Sequence, residues 1–234
     1  MFGSLCLDSP KMLETIEHET APMPQWSVLW LHGLGADGHD FMPIVPELVR
    51  PHWPALRFVF PHAPVRPITI NNGVPMRGWY DLLSLDFNQR ADQAGIEAAV
   101  VQVEALMVRE QERGIASKCL FLAGFSQGGA VVLSTGLRCA TSLAGLIALS
   151  TYLPDTAGAA ARLLPGSSAQ PLFMAHGRAD PVVPLVHGQS AAETLRKLGF
   201  AVDWHTYPMA HQVCQEEIQT LGDWLERRFA VSCP

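Results

Sequence analysis

Residues 118–136 read KCLFLAGFSQGGAVVLSTG and predict an abrupt change from a strand to a helix. The apolar run at 119–123 has the length of a buried strand, and from Gln127 onward small and apolar residues recur at helical spacing. Between them, GFSQG at 124–128 matches G-x-S-x-G, a pattern typical of a serine held on a sharp strand-to-helix turn. The two glycines remove side chains that would otherwise keep the strand and the helix apart. Ser126 is therefore a candidate nucleophile at the carboxyl end of a strand.

Other apolar segments flank this stretch and predict the rest of a sheet. The runs at 26–31, 56–60 and 143–149 are almost continuously apolar, as strands covered on both faces are. They alternate with helical patterns such as the amphipathic segment 94–113, and residues 12–18 are a candidate edge strand. This alternation predicts an α/β fold with a mostly parallel central sheet and helices on both faces. Reactive side chains are then expected at the carboxyl ends of the strands.

Within the single domain predicted for residues 1–234, the segment 63–92 has no clear period. Connections of this length without regular structure are unusual in a compact domain, and they often act as lids or binding loops. Apolar side chains are frequent in the segment, and they either attach it to the core or form the wall of a substrate pocket. The candidate substrate-binding residues are Met76, Trp79, Leu82 and Leu83 in this segment and Val183 further along the chain.

The composition limits the classes of partner. Hydrophobic residues make up 48% and charged residues 16% of the chain, which is ample material for a core and excludes disorder. The net charge is -6 and no run is rich in lysine or arginine, which argues against nucleic acid or an anionic membrane as the main partner. No apolar run approaches the roughly 18 residues of a spanning helix, so no stable membrane insertion is expected.

The N-terminal residues and the cysteines indicate a location. Residues 1–18 include acidic residues and a proline, where a secretory signal would need a basic start and an unbroken apolar segment. The chain has 5 cysteines, which form no C-x-x-C pair and no zinc-binding spacing. We therefore expect reduced thiols in a cytoplasmic protein.

A glycine-rich loop, HGLGADG at 32–38, follows the first buried strand. It contains G-x-G-x-x-G, which would suggest a dinucleotide-binding turn if an acidic residue ended the next strand. That strand ends instead in proline and histidine, and Asp37 and Asp40 would lie where a pyrophosphate must bind. The alternative is that the loop lends the backbone N–H of Leu34 to an oxyanion hole. Asp37, His39 and Asp40 have no distinctive metal spacing, so no metal is predicted.

A serine hydroxyl becomes a good nucleophile when a base takes its proton, and neutral histidine is the usual base. On a sheet of this kind the expected order along the chain is serine, then aspartate or glutamate, then histidine. His211 follows the strand-like run 201–207 and precedes the last helical segment, so we expect it at the same sheet edge as Ser126. The other histidines after Ser126 are better explained as structural residues: His176, His187 and His205.

Asp180 is the candidate carboxylate. It follows the strand-like run 172–175 and precedes Pro181, which disfavours helical backbone at the preceding residue. An aspartate in such a loop can reach a histidine that follows the neighbouring strand. The alternative is that Asp180 only caps a helix or stabilises a turn. The weaker candidates for the carboxylate are Asp155, Asp203 and Asp223.

Four motifs together carry a family resemblance. They are LHGLGADG at 31–38, GFSQGG at 124–129, the loop at 177–184, and MAH at 209–211. In combination they resemble the phospholipase/carboxylesterase family of small α/β-hydrolases, which includes bacterial carboxylesterases and acyl-protein thioesterases. The resemblance extends over residues 26–225, which is nearly the whole chain.

This resemblance implies roles for individual residues. It implies a catalytic triad of Ser126, Asp180 and His211, with backbone oxyanion donors at Leu34 and Gln127. It also implies a cytosolic enzyme without a cofactor, often a homodimer, that acts on short- to medium-chain acyl esters or on thioesters. We expect a serine carboxylesterase that works through an acyl-enzyme, with a lysophospholipase, a lipase or an acyl-protein thioesterase as the alternative.

Three other classes of protein remain as alternatives. A cysteine hydrolase could use Cys214 or Cys119, although neither lies on a turn like that at Ser126. A noncatalytic relative that only binds a ligand would have lost a triad member, whereas all three are present here. A nucleotide-binding oxidoreductase would depend on the glycine loop at 32–38 alone.

Overall fold

A computed structural model describes residues 12–87 and 92–232 of the chain. The strands in these ranges are β1 (Thr15–Glu19), β2 (Trp26–Leu31), β3 (Leu56–Pro61), β4 (Val65–Ile68), β5 (Val74–Arg77), β6 (Leu120–Phe125), β7 (Gly145–Leu149), β8 (Pro171–Gly177) and β9 (Ala201–Tyr207). The α-helices are α1 (Ile44–Leu48), α2 (Gln93–Glu112), α3 (Gln127–Arg138), α4 (Ala159–Arg162), α5 (Leu185–Lys197) and α6 (Gln215–Ser232).

One sheet contains seven of these strands in the order β1-β3-β2-β6-β7-β8-β9. Its neighbouring strands are parallel, except that β1 pairs antiparallel with β3 at the edge. The prediction of an α/β fold with a mostly parallel central sheet is therefore confirmed. The candidate edge strand at 12–18 corresponds to β1, which begins at Thr15.

The middle of the sheet is buried on both faces, which explains why its strands are continuously apolar. Every residue of β2 and β3 is buried. Helix α2 packs against α3, and α1 packs against α6. Strand β6 lies between β2 and β7, so the loops that follow these three parallel strands meet at one edge of the sheet.

The segment from residue 63 contains regular structure that its sequence pattern did not predict. Strands β4 and β5 form an antiparallel hairpin, separate from the main sheet. Its turn contains Asn72 and Gly73, with φ of 54° and 73°, a conformation that asparagine and glycine adopt more easily than other residues. Both strands are short, and each contains a proline, Pro67 or Pro75, which hides the usual strand pattern.

The cysteines differ from expectation. Cys139 and Cys214 are free thiols, whereas Cys119 is disulfide-bonded. The expectation of reduced thiols throughout is therefore wrong for Cys119. Within residues 12–87 and 92–232, no helix combines the length and the hydropathy needed to cross a membrane.

Candidate active site

Ser126 lies on a strained turn between β6 and α3. Its backbone has φ 54° and ψ -119°, a conformation that non-glycine residues rarely adopt. The strand and the helix can be this close only because both flanking positions lack a side chain. A Cβ at Gly124 would lie 2.5 Å from the backbone carbon of Gly128, and a Cβ at Gly128 would lie 2.4 Å from the carbonyl oxygen of Leu31. The backbone of the surrounding core therefore fixes the turn that carries Ser126.

The three residues predicted for the triad lie in one hydrogen-bonded row. His211 Nε2 is 2.9 Å from Ser126 Oγ, and His211 Nδ1 is 2.7 Å from Asp180 Oδ2. The other carboxylate oxygen, Asp180 Oδ1, accepts hydrogen bonds from the backbone N–H groups of Val182 (2.8 Å) and Val183 (2.9 Å). A neutral imidazole in this row donates from Nδ1 to the carboxylate and leaves Nε2 to accept the serine proton.

Backbone contacts hold the aspartate loop and the histidine loop together. The N–H of Arg178 donates to the carbonyl of Tyr207 (2.8 Å), and that of Ala179 donates to the carbonyl of Met209 (3.1 Å). These bonds continue the pairing of β8 with β9 beyond the ends of the strands. Asp180 and His211 are therefore positioned by the sheet as well as by their own hydrogen bond.

The three rival histidines occupy other positions. His176 is buried at the end of β8, where its Nε2 donates to the carbonyl of Val183 (2.8 Å) and burial lowers its pKa. The ring of His187 stacks on Phe87, and His205 Nε2 is 2.8 Å from Asp203 Oδ1. Since only His211 is within hydrogen-bond distance of Ser126 Oγ among the described histidines, the geometry favours it as the base.

Two backbone N–H groups near Ser126 are available to an oxyanion. Leu34 and Gln127 both line the cavity at the serine, and Gln127 is the first residue of α3, where helical N–H groups have no partner within the helix. In the described part of the chain neither of these two N–H groups donates a hydrogen bond, whereas the neighbouring N–H of Gly35 donates to the carbonyl of Arg77 (2.8 Å). The two residues predicted for the oxyanion hole therefore have free backbone donors at the same edge of the sheet as Ser126.

The side chain of Gln127 binds the segment 63–87 to the turn that carries Ser126. We call this segment the covering segment, because its residue Leu82 lines the cavity at the serine. Its Oε1 accepts a hydrogen bond from the backbone N–H of Trp79 (2.9 Å), and its Nε2 donates to the carbonyl of Tyr80 (2.7 Å). The indole N–H of Trp79 in turn donates to the carbonyl of His32 (2.8 Å). Gln127 is buried, so these bonds are made away from water and hold the segment in one position.

His32, directly after β2, forms a second connection between the main sheet and the covering segment. Its Nδ1 donates to the carbonyl of Gly33 (2.7 Å), and its Nε2 accepts a hydrogen bond from the N–H of Ala63 (3.0 Å). Both ring nitrogens are satisfied only in the neutral form, and burial lowers the pKa of His32 accordingly. Below that pKa, Nε2 would carry a proton and could no longer accept the hydrogen bond from Ala63.

A cavity of about 590 Å³ opens at Ser126. Its lining residues are Gly33, Leu34, Ala36, Asp40, Phe41, Leu82, Phe125, Ser126, Gln127, Tyr152, Val182, Val183, His211, Gln212 and Val213. Two of the five predicted substrate-binding residues, Leu82 and Val183, are among them. Most of the lining is apolar, as expected for a pocket that accepts an acyl chain.

The other three predicted substrate-binding residues do not line the cavity. Trp79 is fully buried, and its indole N–H donates to the carbonyl of His32. Leu83 is half exposed, because it follows the buried Leu82 directly and faces away from it. Met76 lies on the β4–β5 hairpin, where its sulfur accepts a hydrogen bond from the side chain of Asn71 (3.4 Å).

The sequence analysis did not identify four large cavity residues: Phe41, Phe125, Tyr152 and Val213. Each lies at the end of a strand or in the loop after one. This position could have identified them from the sequence, because the carboxyl ends of parallel strands lie together at the edge of the sheet where Ser126 is expected. Elsewhere, His39 Nδ1 is 2.9 Å from Asp37 Oδ1, and within residues 12–87 and 92–232 there is no group of three or more His, Cys, Asp or Glu residues that could hold a metal ion.

A serine on a strained strand-to-helix turn, linked through a histidine to an aspartate at the edge of a mostly parallel sheet, defines the α/β-hydrolase class. Within that class, the family model for phospholipase/carboxylesterase matches residues 12–228. The chain belongs to the phospholipase/carboxylesterase family.

Individual relatives support this assignment. Acyl-protein thioesterase 1 of Neurospora crassa is 37% identical over 97% of this chain and 94% of its own length. Acyl-protein thioesterase 1 of Mycosarcoma maydis is 38% identical over 87% of this chain and 91% of its own. Among solved structures, Arabidopsis thaliana SOBER1 superposes with a TM-score of 0.82 at 30% identity, covering 87% of this chain and 98% of that protein.

Proposed function

We propose that the protein is a serine carboxylesterase that hydrolyses short- to medium-chain acyl esters through an acyl-enzyme. The observation that carries this proposal is the hydrogen-bonded row in which His211 Nε2 is 2.9 Å from Ser126 Oγ and His211 Nδ1 is 2.7 Å from Asp180 Oδ2. The cavity beside this row supports the substrate class, since it is mostly apolar and holds a volume of about 590 Å³.

In the first half of the reaction, Ser126 Oγ attacks the ester carbonyl carbon and its proton moves to His211 Nε2. The carboxylate of Asp180 stabilises the imidazolium that forms, and the N–H groups of Leu34 and Gln127 bind the negatively charged oxygen. The bond to the leaving alcohol then breaks, and the imidazolium returns the proton to that alcohol. In the second half, water attacks the acyl-serine by the same route, releasing the carboxylic acid and regenerating the serine hydroxyl.

A thioesterase activity is the second candidate, because relatives of this chain carry the name acyl-protein thioesterase. The same residues would serve, since a thioester carbonyl is attacked in the same way. A thiol has a pKa of about 8.5 and leaves as a thiolate more readily than an alcohol leaves as an alkoxide, so it depends less on the proton from His211. Matched esters and thioesters of graded chain length would rank the two activities, and lysophospholipid substrates would test the lipase alternative.

The first experiment uses a fluorophosphonate probe and a p-nitrophenyl butyrate assay on the wild type and on Ser126→Ala. We expect the substitution to abolish labelling and to lower kcat by at least about 10⁴-fold. Ser134→Ala is the matched control, because Ser134 lies on the same helix but donates to the carbonyl of Ala130 and does not line the cavity. Undiminished hydrolysis by Ser126→Ala would remove the proposal.

The family resemblance also supports a cytoplasmic location and assembly as a homodimer. Fractionation of the source cells tests the first proposal, and light scattering on the purified protein tests the second. A single species with the mass of one 25.5 kDa chain across a wide concentration range would exclude the dimer.

A further inference from the structure

An acidic side chain lies in the lining of the otherwise mostly apolar cavity. Among the described residues that line it, Asp40 is the only aspartate, glutamate, lysine or arginine. Asp40 is exposed, and it directly precedes Phe41, which also lines the cavity. A lone carboxylate in the lining of the cavity that holds Ser126 affects the binding of substrates according to their charge.

The Asp40 carboxylate is available to a ligand, in contrast to the aspartate three residues earlier. Asp37 accepts hydrogen bonds from the backbone N–H of His39 (2.8 Å) and is 2.9 Å from His39 Nδ1, and these bonds lower its pKa. In the described part of the chain, no hydrogen-bond donor or cation contacts the carboxylate of Asp40. Asp37 does not line the cavity. The loop therefore carries two similar charges, of which one is engaged and one faces the site.

The lining of the cavity includes one charged group of residues and one uncharged group. The loop after β2 and the loops after β7 and β8 leave the sheet on opposite sides of β6, which carries Ser126. We call the uncharged group the acyl wall, which consists of Leu82, Tyr152, Val182 and Val183. We call the other group the leaving-group wall, which consists of Asp40 and Phe41 in the loop after β2 and of Phe125 at the end of β6. An alkyl chain favours the uncharged wall, because burying it beside a carboxylate would cost hydration of the charge.

Aromatic rings connect His211 to the wall that carries Asp40. The ring of Phe125 lies 4.7 Å from the imidazole of His211, and the ring of Phe41 lies 5.5 Å from that of Phe125. The leaving group must lie beside His211, since it takes its proton from Nε2. The leaving group therefore lies next to Phe125, whose ring packs on that of Phe41, and Asp40 is the residue directly before Phe41.

We propose that Asp40, Phe41 and Phe125 form a leaving-group subsite that selects esters and thioesters whose alcohol or thiol carries an organic cation. A carboxylate attracts the charge, and the faces of two aromatic rings suit a quaternary or alkylated ammonium group. Anionic alcohols are disfavoured by the same carboxylate. The proposal rests on the proposed esterase function and defines the class of substrate for it.

The test compares two esters of nearly equal shape, butyrylcholine and 3,3-dimethylbutyl butyrate, in which a carbon atom replaces the charged nitrogen. At low salt we expect Asp40→Asn to lower the ratio of kcat/KM for the cationic ester to that for the neutral ester by about tenfold relative to the wild type. Because both esters are measured in one preparation, partial misfolding of a variant does not alter the ratio. Asp37→Asn is the matched control and should keep the wild-type ratio.

Salt and leaving-group identity sharpen the test. Added 0.5 M NaCl, a concentration at which the screening length falls to a few ångströms, should lower the ratio of the wild type and leave that of Asp40→Asn unchanged. Butyrylthiocholine should show the same dependence on Asp40 as butyrylcholine. An unchanged ratio in Asp40→Asn, or an equal loss in Asp37→Asn, would overturn the subsite while both esters are still hydrolysed. If neither ester is hydrolysed and the probe does not label Ser126, the esterase proposal fails first and the subsite fails with it.

Discussion

Ser126 and the segment that covers it, residues 63–87, differ in what holds them in place. Around Ser126 the backbone itself fixes the geometry, and the first turn of α3 is buried. The covering segment is anchored at a few points, such as Trp79, and elsewhere exposes large apolar side chains, including Leu85 at 78%. The reacting groups are therefore held by the core, whereas the exposed side chains of the covering segment can change at little cost in stability.

The largest expected difference between the two regions comes from the same substitution made in each. A Cβ at Gly128 would lie 2.4 Å and 2.6 Å from the carbonyl oxygens of Leu31 and His32, so Gly128→Ala should cost about 3 kcal/mol of stability or more. At Gly73, in the hairpin turn, φ is 73° and no atom lies within 4 Å of a new Cβ. Gly73→Ala should cost only about 1 kcal/mol, from the left-handed backbone.

Urea unfolding of both variants measures this contrast directly, with the m-value as a check that the unfolded states are comparable. Equal losses of stability would mean that the turn at Gly128 adapts as readily as the hairpin. In that case the core would not fix Ser126 in the way its contacts indicate. Hydrolysis by the Gly128→Ala protein that remains folded should also fall, because Ser126 is two residues away.

The same contrast explains what the sequence could predict. The turn at Ser126 is encoded locally, because a strand, a G-x-S-x-G pattern and a helix follow one another within 118–136. The order of Ser126, Asp180 and His211 along the chain, together with their positions after strand-like runs, selected three residues that the structure brings together. Local patterns and the order of residues are properties of the sequence itself, so these features of the site could be predicted from it.

The covering segment could not be derived in the same way. Leu82 and Leu83 are adjacent and chemically identical, yet one lines the cavity and the other is half exposed. Which of them faces inward depends on the position of the whole segment, which tertiary bonds such as that from Trp79 to Gln127 determine. The turn of the β4–β5 hairpin does have a sequence signal, since Asn72-Gly73 is typical of hairpin turns. The prolines in both strands obscured it.

A smaller effect is expected from protonation of His32, which joins the two regions. In the folded protein burial keeps His32 neutral, with a pKa below the ordinary 6.5. The unfolded chain therefore binds a proton as the pH falls below about 6.5, whereas the folded chain does not. The stability that neutral His32 provides is fully present above pH 6.5 and is lost as the pH falls from there toward its folded pKa.

His32→Gln tests this link, because its amide oxygen can still accept the hydrogen bond from Ala63 and cannot titrate in this range. Between pH 7 and 5 the free energy of unfolding of the wild type should fall relative to the variant, by at most about 1.4 kcal/mol per pH unit. The quantity to measure is the difference in the free energy of unfolding between the wild type and His32→Gln at each pH. It cancels the effect of Glu217, whose burial raises its pKa to about 8 and gives a slope of opposite sign over this range. A constant difference would show that His32 does not titrate on unfolding.

The smallest predicted effect compares the two adjacent leucines and bears on substrate choice alone. Leu82 lines the acyl wall and is 3% exposed, so Leu82→Ala removes apolar contact from the acyl chain of a bound ester. We expect the ratio of kcat/KM for p-nitrophenyl hexanoate to that for the acetate to fall by up to about tenfold, since acetate does not reach the wall.

Leu83→Ala is the control for this comparison, because Leu83 is half exposed and does not line the cavity. Its ratio should stay within about twofold of the wild type, since exposed side chains contribute little apolar burial. The ratio is independent of how much of each protein folds, which matters because truncating a buried leucine typically costs about 2–5 kcal/mol. If Leu83→Ala changed the chain-length ratio as much as Leu82→Ala, the segment would close over the substrate in another position. In that case the backbone of the covering segment, and not only its exposed side chains, would be able to change position while Ser126 stays fixed.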